Sequence, residues 1–399
     1  MMHNFEVGYI DGDGIGPEIM PYVRAVIDQV VALTYHGQYG IDWHALLLGE
    51  QAAREGDGEW FPEATITQLR ALKVALKGPM SSAIGGGFRS LNIALREELD
   101  LFCNMRVIKA LDGLPSPLKN SGAIDMVVFR ECSEDSFASI ELAAQSSDAS
   151  RLIEVLEQEL GYYKLRFADN CALAIKNCSQ AATERLVAQA LSYALAHHRT
   201  KLTIVHKSNA WQLTEGQFQR WALAYLQQHH EVTLSTCKQY YQLRSNTGQC
   251  IEVEFMMLDR VMQRLPQYAS EFDVLVCNNL AGDLIADLGA ALVGGVGIIP
   301  SINCNNEMAI FEPSHGPFRR IVGQGVANPC ATLWAGVLLL QHLGLEQAST
   351  RLFHALKHVI SHYPQLFQLD TRTHKLPQVS TDAVITAIEQ YLSRNRAAQ

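Results

Sequence analysis

The sequence predicts an α/β protein, and three observations carry that prediction. The chain opens as strand, glycine turn and helix: Phe5 to Ile10 is a short apolar run, Asp11-Gly12-Asp13-Gly14-Ile15-Gly16-Pro17 breaks it, and Glu18 to Val31 has helical periodicity. The same succession recurs at Lys201 to Val205 before the helical Thr214 to Gln228, and at Phe272 to Val276 before a helix start holding Asp283 and Asp287. With 399 residues, the chain is long enough for two domains or one large discontinuous one.

Composition narrows the function classes. At 48% hydrophobic and 18% charged, without a low-complexity tract, the chain is an ordinary soluble globular one. A net charge of -9 argues against nucleic acid as the main partner, because neutralising phosphates needs surplus Lys and Arg. No block of like charge points to a membrane surface, and no apolar run approaches the length of a spanning helix. The nine cysteines are odd in number and form no Cys-x-x-Cys pair, which reads as reduced, mostly buried thiols in a cytoplasmic protein.

Taken in order, the first turn resembles a dinucleotide fingerprint but lacks Gly-x-Gly-x-x-Gly spacing, so a standard Rossmann site is not expected there. Val74-Ala75-Leu76 reads as a strand end. The chain then breaks at Gly78-Pro79, passes a Gly85-Gly86-Gly87 hinge and opens into an amphipathic segment at Ser90. Ser90 stands at a helix N-cap position, and Leu91, Leu95, Leu99 and Phe102 recur at helical spacing. Asn92 and Arg96, four apart, share a face. This segment is either an ordinary surface helix or a seat for a small anion.

Asp125 to Glu131 is a strand ending in charge. From Ser139 to Gln180 the alternation is less regular, with a helix over Asp148 to Leu160 and strand-like Lys164 to Phe167 and Cys171 to Ile175. This region reads as an insertion or an oligomerisation arm. A helix follows over Ala181 to His197, and the strand at Lys201 leads into His206-Lys207-Ser208-Asn209. Asp283 and Asp287 project from one helix face, as a solvated pair or as ligands of a divalent cation. Glu312-Pro313-Ser314-His315-Gly316 and Gly323 to Pro329 form a long polar loop before an apolar helix at Ala331 to Gln341, and loops of that length are commonly functional.

These stretches together resemble the isocitrate/isopropylmalate dehydrogenases, and within them the bacterial-type NADP-dependent isocitrate dehydrogenases. The resemblance is collinear from Gly12 to about Gly344. It runs through GDGIGP, LKGP, GGGFRSLNIALREELDLF, GLPSPLK, DMVVFRE, SED, HKSN, TEGQF, NLAGDLIADL, GGVGI, FEPSHG and GQGVANP. It implies an open α/β sheet of the family's own kind. Residues 1–101 with 294–399 would form a large domain, 102–134 with 180–293 a small domain, and 135–179 an intersubunit clasp.

The implied activity is oxidation of the C2 hydroxyl of a 2-hydroxy acid by hydride transfer to a nicotinamide, followed by loss of CO2, with Mg2+ or Mn2+ as Lewis acid. For isocitrate, a tricarboxylic acid cycle substrate, the resemblance assigns Ser90, Asn92, Arg96, Arg106 and Arg130 to the carboxylates, which guanidinium forks suit. It assigns Asp283, Asp287 and a partner subunit's copy of Asp259 to the metal. Lys207, also delivered across a homodimer interface, would help deprotonate the hydroxyl. Ser81, His315, Gly316, Pro317, Phe318, Arg319, Arg320, Ile321 and Asn328 would line the nucleotide pocket. Arg320 stands where a cation favours a 2′-phosphate, so NADP is expected over NAD, although Ile321 is the residue type of NAD-using relatives.

The pattern breaks at Phe137, which occupies the position of the family's catalytic tyrosine, the donor of a proton to C3. Phenylalanine keeps the ring and loses the donor. Ser208, Ala281 and Pro317-Phe318-Arg319 also depart from the family's usual residues. Three readings follow: a slow isocitrate dehydrogenase, a dehydrogenase for another 2-hydroxy acid, or a catalytically silent isocitrate-binding homologue.

Overall fold

The computed structural model describes residues 3–56, 58–81, 90–118, 122, 124–363 and 379–394. The expected Gly85-Gly86-Gly87 hinge lies outside them. The first third of the chain forms β1 (His3–Ile10), α1 (Gly16–Tyr35), β2 (Tyr39–Ala45), α2 (Glu50–Glu55), α3 (Glu63–Leu72), β3 (Val74–Lys77), α4 (Leu91–Glu98), β4 (Cys103–Lys109) and β5 (Asp125–Glu131). The middle forms β6 (Glu141–Leu142), α5 (Ser147–Glu154), β7 (Leu173–Ala174), α6 (Gln180–Ala196), β8 (Lys201–His206), α7 (Glu215–His229), β9 (Glu231–Leu234), β10 (Tyr241–Arg244), β11 (Cys250–Met257) and α8 (Leu258–Tyr268). The last part forms β12 (Val274–Cys277), α9 (Asn279–Leu292), β13 (Pro300–Cys304), β14 (Ala309–Pro313), α10 (Cys330–His342), α11 (Glu346–His362) and α12 (Thr381–Arg394).

Twelve strands join in one mixed sheet in the order β2-β1-β3-β14-β13-β4-β5-β12-β8-β11-β10-β9. The seam at its middle is the antiparallel pair β13–β4, with Ser301 opposite Arg106 and Cys304 opposite Cys103. Strands to one side of it come from the two ends of the chain, and strands to the other from its middle.

The two faces of the sheet are covered differently. Alternate residues Leu76, Phe311, Ile302, Met105, Phe129 and Val276 join one apolar core that runs beneath both halves, with α1, α6, α7, α10, α11 and α12 packed on it. The opposite face carries two separate cores. One holds α3 and α4 over β1 and β3, and the other holds α8 and α9 over β4, β5 and β12. Between these two cores the central strands turn polar side chains outward, and this is where the site forms.

Several expectations need correcting. Lys164 to Phe167 forms no strand: three of its four side chains are exposed, Phe167 at 79%, so no neighbour rewards extension. Of Cys171 to Ile175 only Leu173–Ala174 pairs, with Glu141–Leu142. The helix expected through Leu160 is α-helical to Glu154 and then widens into a π-turn over Val155–Glu159. The segment after Ser90 ends at Glu98, so Leu99 and Phe102 lie beyond the helix. Asp100 takes a left-handed φ of 46° as the chain turns into β4. The cysteines are free, five of them buried, and no helix among the described residues is long and apolar enough to cross a membrane.

Candidate active site

A polar stripe crosses five adjacent strands on the divided face: Lys77 on β3, Glu312 on β14, Ser301 and Asn303 on β13, Asn104 and Arg106 on β4, and Arg130 on β5. Each interrupts an otherwise apolar strand at a position facing away from the continuous core. Burying such groups is costly unless each finds a partner, and here they bond to one another.

The stripe begins at an ion pair. Lys77 Nζ lies 2.5 Å from Glu312, and the residues are only 1% and 5% exposed. Burial pushes the Glu312 carboxyl up, but Lys77 and Arg96 outweigh it and hold it below the ordinary carboxylate value. Asn303 Nδ2 donates to Glu312 at 2.6 Å, while Asn303 Oδ1 accepts from Asn104 and from Arg96 Nε, both at 2.8 Å. Asn104 Oδ1 in turn accepts from Arg106 Nε at 3.1 Å. Arg96 reaches down from α4 and Arg106 up from the sheet, and one amide relay fixes both.

Arg106 donates to Asp287 at 2.8 Å and to Asp283 at 3.3 Å. Arg130 pairs with Asp283 and donates through Nε to Asn279 Oδ1 at 2.8 Å. Burial pushes the Arg130 guanidinium down. Helix α9 can lie this close because residue 282 is glycine: a Cβ there would come within 2.7 Å of the Arg130 Cβ. The four-residue spacing of Asp283 and Asp287 then aims both carboxylates at the arginine pair.

The substrate, metal and catalytic residues expected from the sequence therefore split. Arg96, Arg106, Arg130, Asp283 and Asp287 are joined through one network. Ser90 holds the N-cap position of α4, but its side chain makes no capping bond. Asn92, one turn from Arg96, has a buried Oδ1 with no partner among the described residues. Phe137 ends a 3-10 turn (Asp135–Phe137), and its ring centroid lies 5.5 Å from the Arg130 guanidinium. Lys207 and Asp259 are not in this network; they pair with each other at 2.6 Å on the surface. Accordingly, no group of three metal-capable His, Cys, Asp or Glu side chains occurs among the described residues. The hard carboxylate oxygens of Asp283 and Asp287 are of the donor type that suits Mg2+ or Mn2+.

The expected nucleotide residues gather at the far end of the stripe. Gly14 takes a left-handed φ of 58° under Pro317, where a Cβ would lie 2.1 Å from the Pro317 carbonyl oxygen. Ile15 N donates to that same oxygen at 3.0 Å, which docks the 315–321 loop on the first turn. Arg319 reaches Ser81 Oγ at 2.7 Å and pairs with Glu50. Ile321 is buried; Gly316, Phe318, Arg319 and Arg320 are exposed; and Asn328 Oδ1, just before α10, accepts from Cys330 N at 3.0 Å. Open space at Gly316 and two arginines in an adjoining 3-10 turn suit a polyanionic dinucleotide. His315 is buried, with Nδ1 2.9 Å from the Gly316 carbonyl, so Nδ1 carries the donated proton.

Burial pushes the His315, His206, His197 and His342 imidazoles below the ordinary 6.5. Each therefore takes up its proton at a lower pH in the folded chain than in the unfolded chain, where the ordinary value is 6.5. Stability is therefore full above that value and is lost as pH falls through the folded values. Denaturation midpoints measured from pH 8 to pH 5.5 should fall steadily below pH 6.5. The Glu312 contribution should persist until pH drops below its ordinary 4.5.

Sequence reasoning missed Lys77, Asn104, Asn279, Asn303 and Glu312 as site residues. The available signal was a polar residue breaking an apolar strand, as in VALK, CNMRVIK, PSINC and AIFEP.

The sequence profile described as isocitrate/isopropylmalate dehydrogenase matches residues 6–388. The isocitrate dehydrogenase [NADP] of Pseudomonas aeruginosa is 38% identical over 345 residues, covering 86% of this chain and 82% of that protein. That of Staphylococcus aureus is 35% identical over 393 residues, covering 94% and 93%. The crystal structure of isocitrate dehydrogenase from Methylococcus capsulatus superposes with a TM-score of 0.77 at 28% identity, covering 98% of this chain and 99% of that one. A match spanning nearly the whole chain, on the fold and with the motifs described above, establishes that the protein belongs to the isocitrate/isopropylmalate dehydrogenase family.

Proposed function

We propose that the protein oxidises isocitrate at C2 and removes CO2 to give 2-oxoglutarate, with NADP preferred over NAD. The observation that carries this is the charge of the stripe. Four cations (Lys77, Arg96, Arg106, Arg130) stand against three carboxylates (Glu312, Asp283, Asp287), and a divalent cation would raise the net charge from one to three positive. A tricarboxylate balances that charge; a smaller monoanion does not. The names of the relatives support the same substrate and cofactor.

In this reading Arg96, Arg106 and Arg130 bind the carboxylates, with Ser90 and Asn92 at the α4 end. Asp283 and Asp287 would hold Mg2+ or Mn2+, with Asp259 of a second copy completing the set. Lys207 of that copy would help deprotonate the C2 hydroxyl. The bound nicotinamide supplies a hydride acceptor and the metal a Lewis acid. His315 to Ile321, Ser81 and Asn328 hold the nucleotide, with Arg320 facing the 2′-phosphate. The two flanks of the sheet act as large and small domains within the boundaries set out from the sequence.

A homodimer is supported by the apolar side chains exposed on the 135–179 segment: Leu160 at 59%, Tyr162 at 56%, Tyr163 at 70% and Phe167 at 79%. Free thiols throughout support a reducing, cytoplasmic setting.

Phe137 favours a second reading, in which the protein acts on another 2-hydroxy acid or stops short of full turnover. One assay separates them: purified protein with isocitrate, Mg2+ or Mn2+ and each nucleotide, following reduced cofactor and CO2 together. Equal yields with NADP ahead of NAD are expected. Reduction without matching CO2 would establish the second reading, and binding without reduction a silent homologue.

A further inference from the structure

Four loops meet at the nucleotide end of the stripe, and one buried carboxylate ties two of them together. Asp13 is 1% exposed; its Oδ1 accepts from Glu50 N at 2.9 Å and its Oδ2 from Ser81 N at 2.7 Å. The start of α2 and the turn after β3 are thereby fixed side by side. Their side chains converge on Arg319, whose Nη2 donates to Ser81 Oγ at 2.7 Å and pairs with Glu50. Arg319 comes from the 315–321 loop, itself docked on the first turn through Pro317.

A guanidinium and a hydroxyl held together by a buried scaffold make a seat for phosphate oxygens. Here that seat already holds a carboxylate of the same chain. Resting on the reading that a dinucleotide binds this pocket, we propose that Glu50 is a built-in competitor for the cofactor's phosphate. Its carboxylate occupies Arg319 in the free protein, and a cofactor phosphate must displace it, so Glu50 sets nucleotide affinity. The Glu50 side chain is 20% exposed and that of Arg319 58%, so the exchange needs only side-chain rotation. Arg54, 4.0 Å from the other Glu50 oxygen, can receive the displaced carboxylate.

An exposed pair of this kind is weak, which bounds the effect. Glu50→Gln keeps the backbone donor to Asp13 and the side-chain shape while removing the competing charge. Titration calorimetry should show NADP binding about 2- to 5-fold tighter to Glu50→Gln than to the unaltered protein. Arg319→Met should weaken binding about tenfold, and in an Arg319→Met background Glu50→Gln should have no further effect. ADP-ribose and 2′-phospho-ADP-ribose separate the two phosphate sources. A Glu50→Gln gain for both places the pyrophosphate on Arg319, and a gain for the second alone places the 2′-phosphate there.

Equal affinity in Glu50→Gln and unaltered protein overturns the proposal while leaving nucleotide binding intact. Weaker binding overturns it as well, since it would show Glu50 holding the cofactor rather than competing with it. Absence of NADP binding in every variant overturns both this proposal and the reading it rests on.

Discussion

Phe137→Tyr is expected to raise isocitrate turnover about 10²-fold or more, because it restores a positioned proton donor whose loss typically costs about 10²–10⁴-fold. The turn that carries the ring needs no rebuilding. Asp135, at a left-handed φ of 74°, accepts from Leu280 N at 2.8 Å and pairs with Lys176, which also reaches Glu215 at 2.9 Å. Those bonds tie the 3-10 turn to the start of α9, the helix that carries Asp283 and Asp287. A hydroxyl added to the half-buried ring therefore enters a fixed place beside Arg130. The measurement is kcat with isocitrate, Mn2+ and NADP. An unchanged rate would show that other groups already deliver the C3 proton. A rate that rises would locate the defect at Phe137.

The second large effect concerns stability. Glu312→Leu alone should cost about 3–5 kcal/mol, because it strands a fully buried Lys77 ammonium and leaves the Asn303 amide without its acceptor. Lys77→Met alone should cost a similar amount from the other side. The combined Lys77→Met/Glu312→Leu variant should recover most of the loss, since apolar groups of similar volume often replace a buried pair at no net cost. Substrate affinity should not recover with it. Arg96 is oriented through Asn303, and Asn303 through Glu312, so the relay is cut in both variants that lack Glu312. Urea denaturation of the three variants, set beside isocitrate titrations, checks both halves of this expectation.

The fold was legible where apolar periodicity is local. Helices α1, α6 and α7 and strands β1, β5 and β8 fall within a few residues of their expected places, because each buries a regular stripe against the continuous core, and α10 does because it is apolar almost all round. Strands β2, β11, β13 and β14 were not singled out. They gain their extended form from neighbours distant in sequence, as Ser301 does from Arg106. The substrate arginines were named from the motifs that carry them, but not what holds them. Asn104 and Asn303 reveal their role only when β13 lies beside β4. The Lys164 to Phe167 strand failed for the complementary reason: its local pattern was adequate and no partner strand lies beside it.

The unequal covering of the two sheet faces bears on how the protein can be dissected. The central strands share a single apolar floor, in which Phe311 and Met105, from opposite sides of the β13–β4 seam, belong to the same packed unit. A fragment cut at that seam would carry away only part of the floor and expose a broad greasy surface to water. Neither piece should fold alone, and the protein should melt as one cooperative body even though its other face carries two separate cores. Any movement of one flank against the other has to twist the sheet they share, so the two flanks are leaves of one bent spring rather than beads on a string.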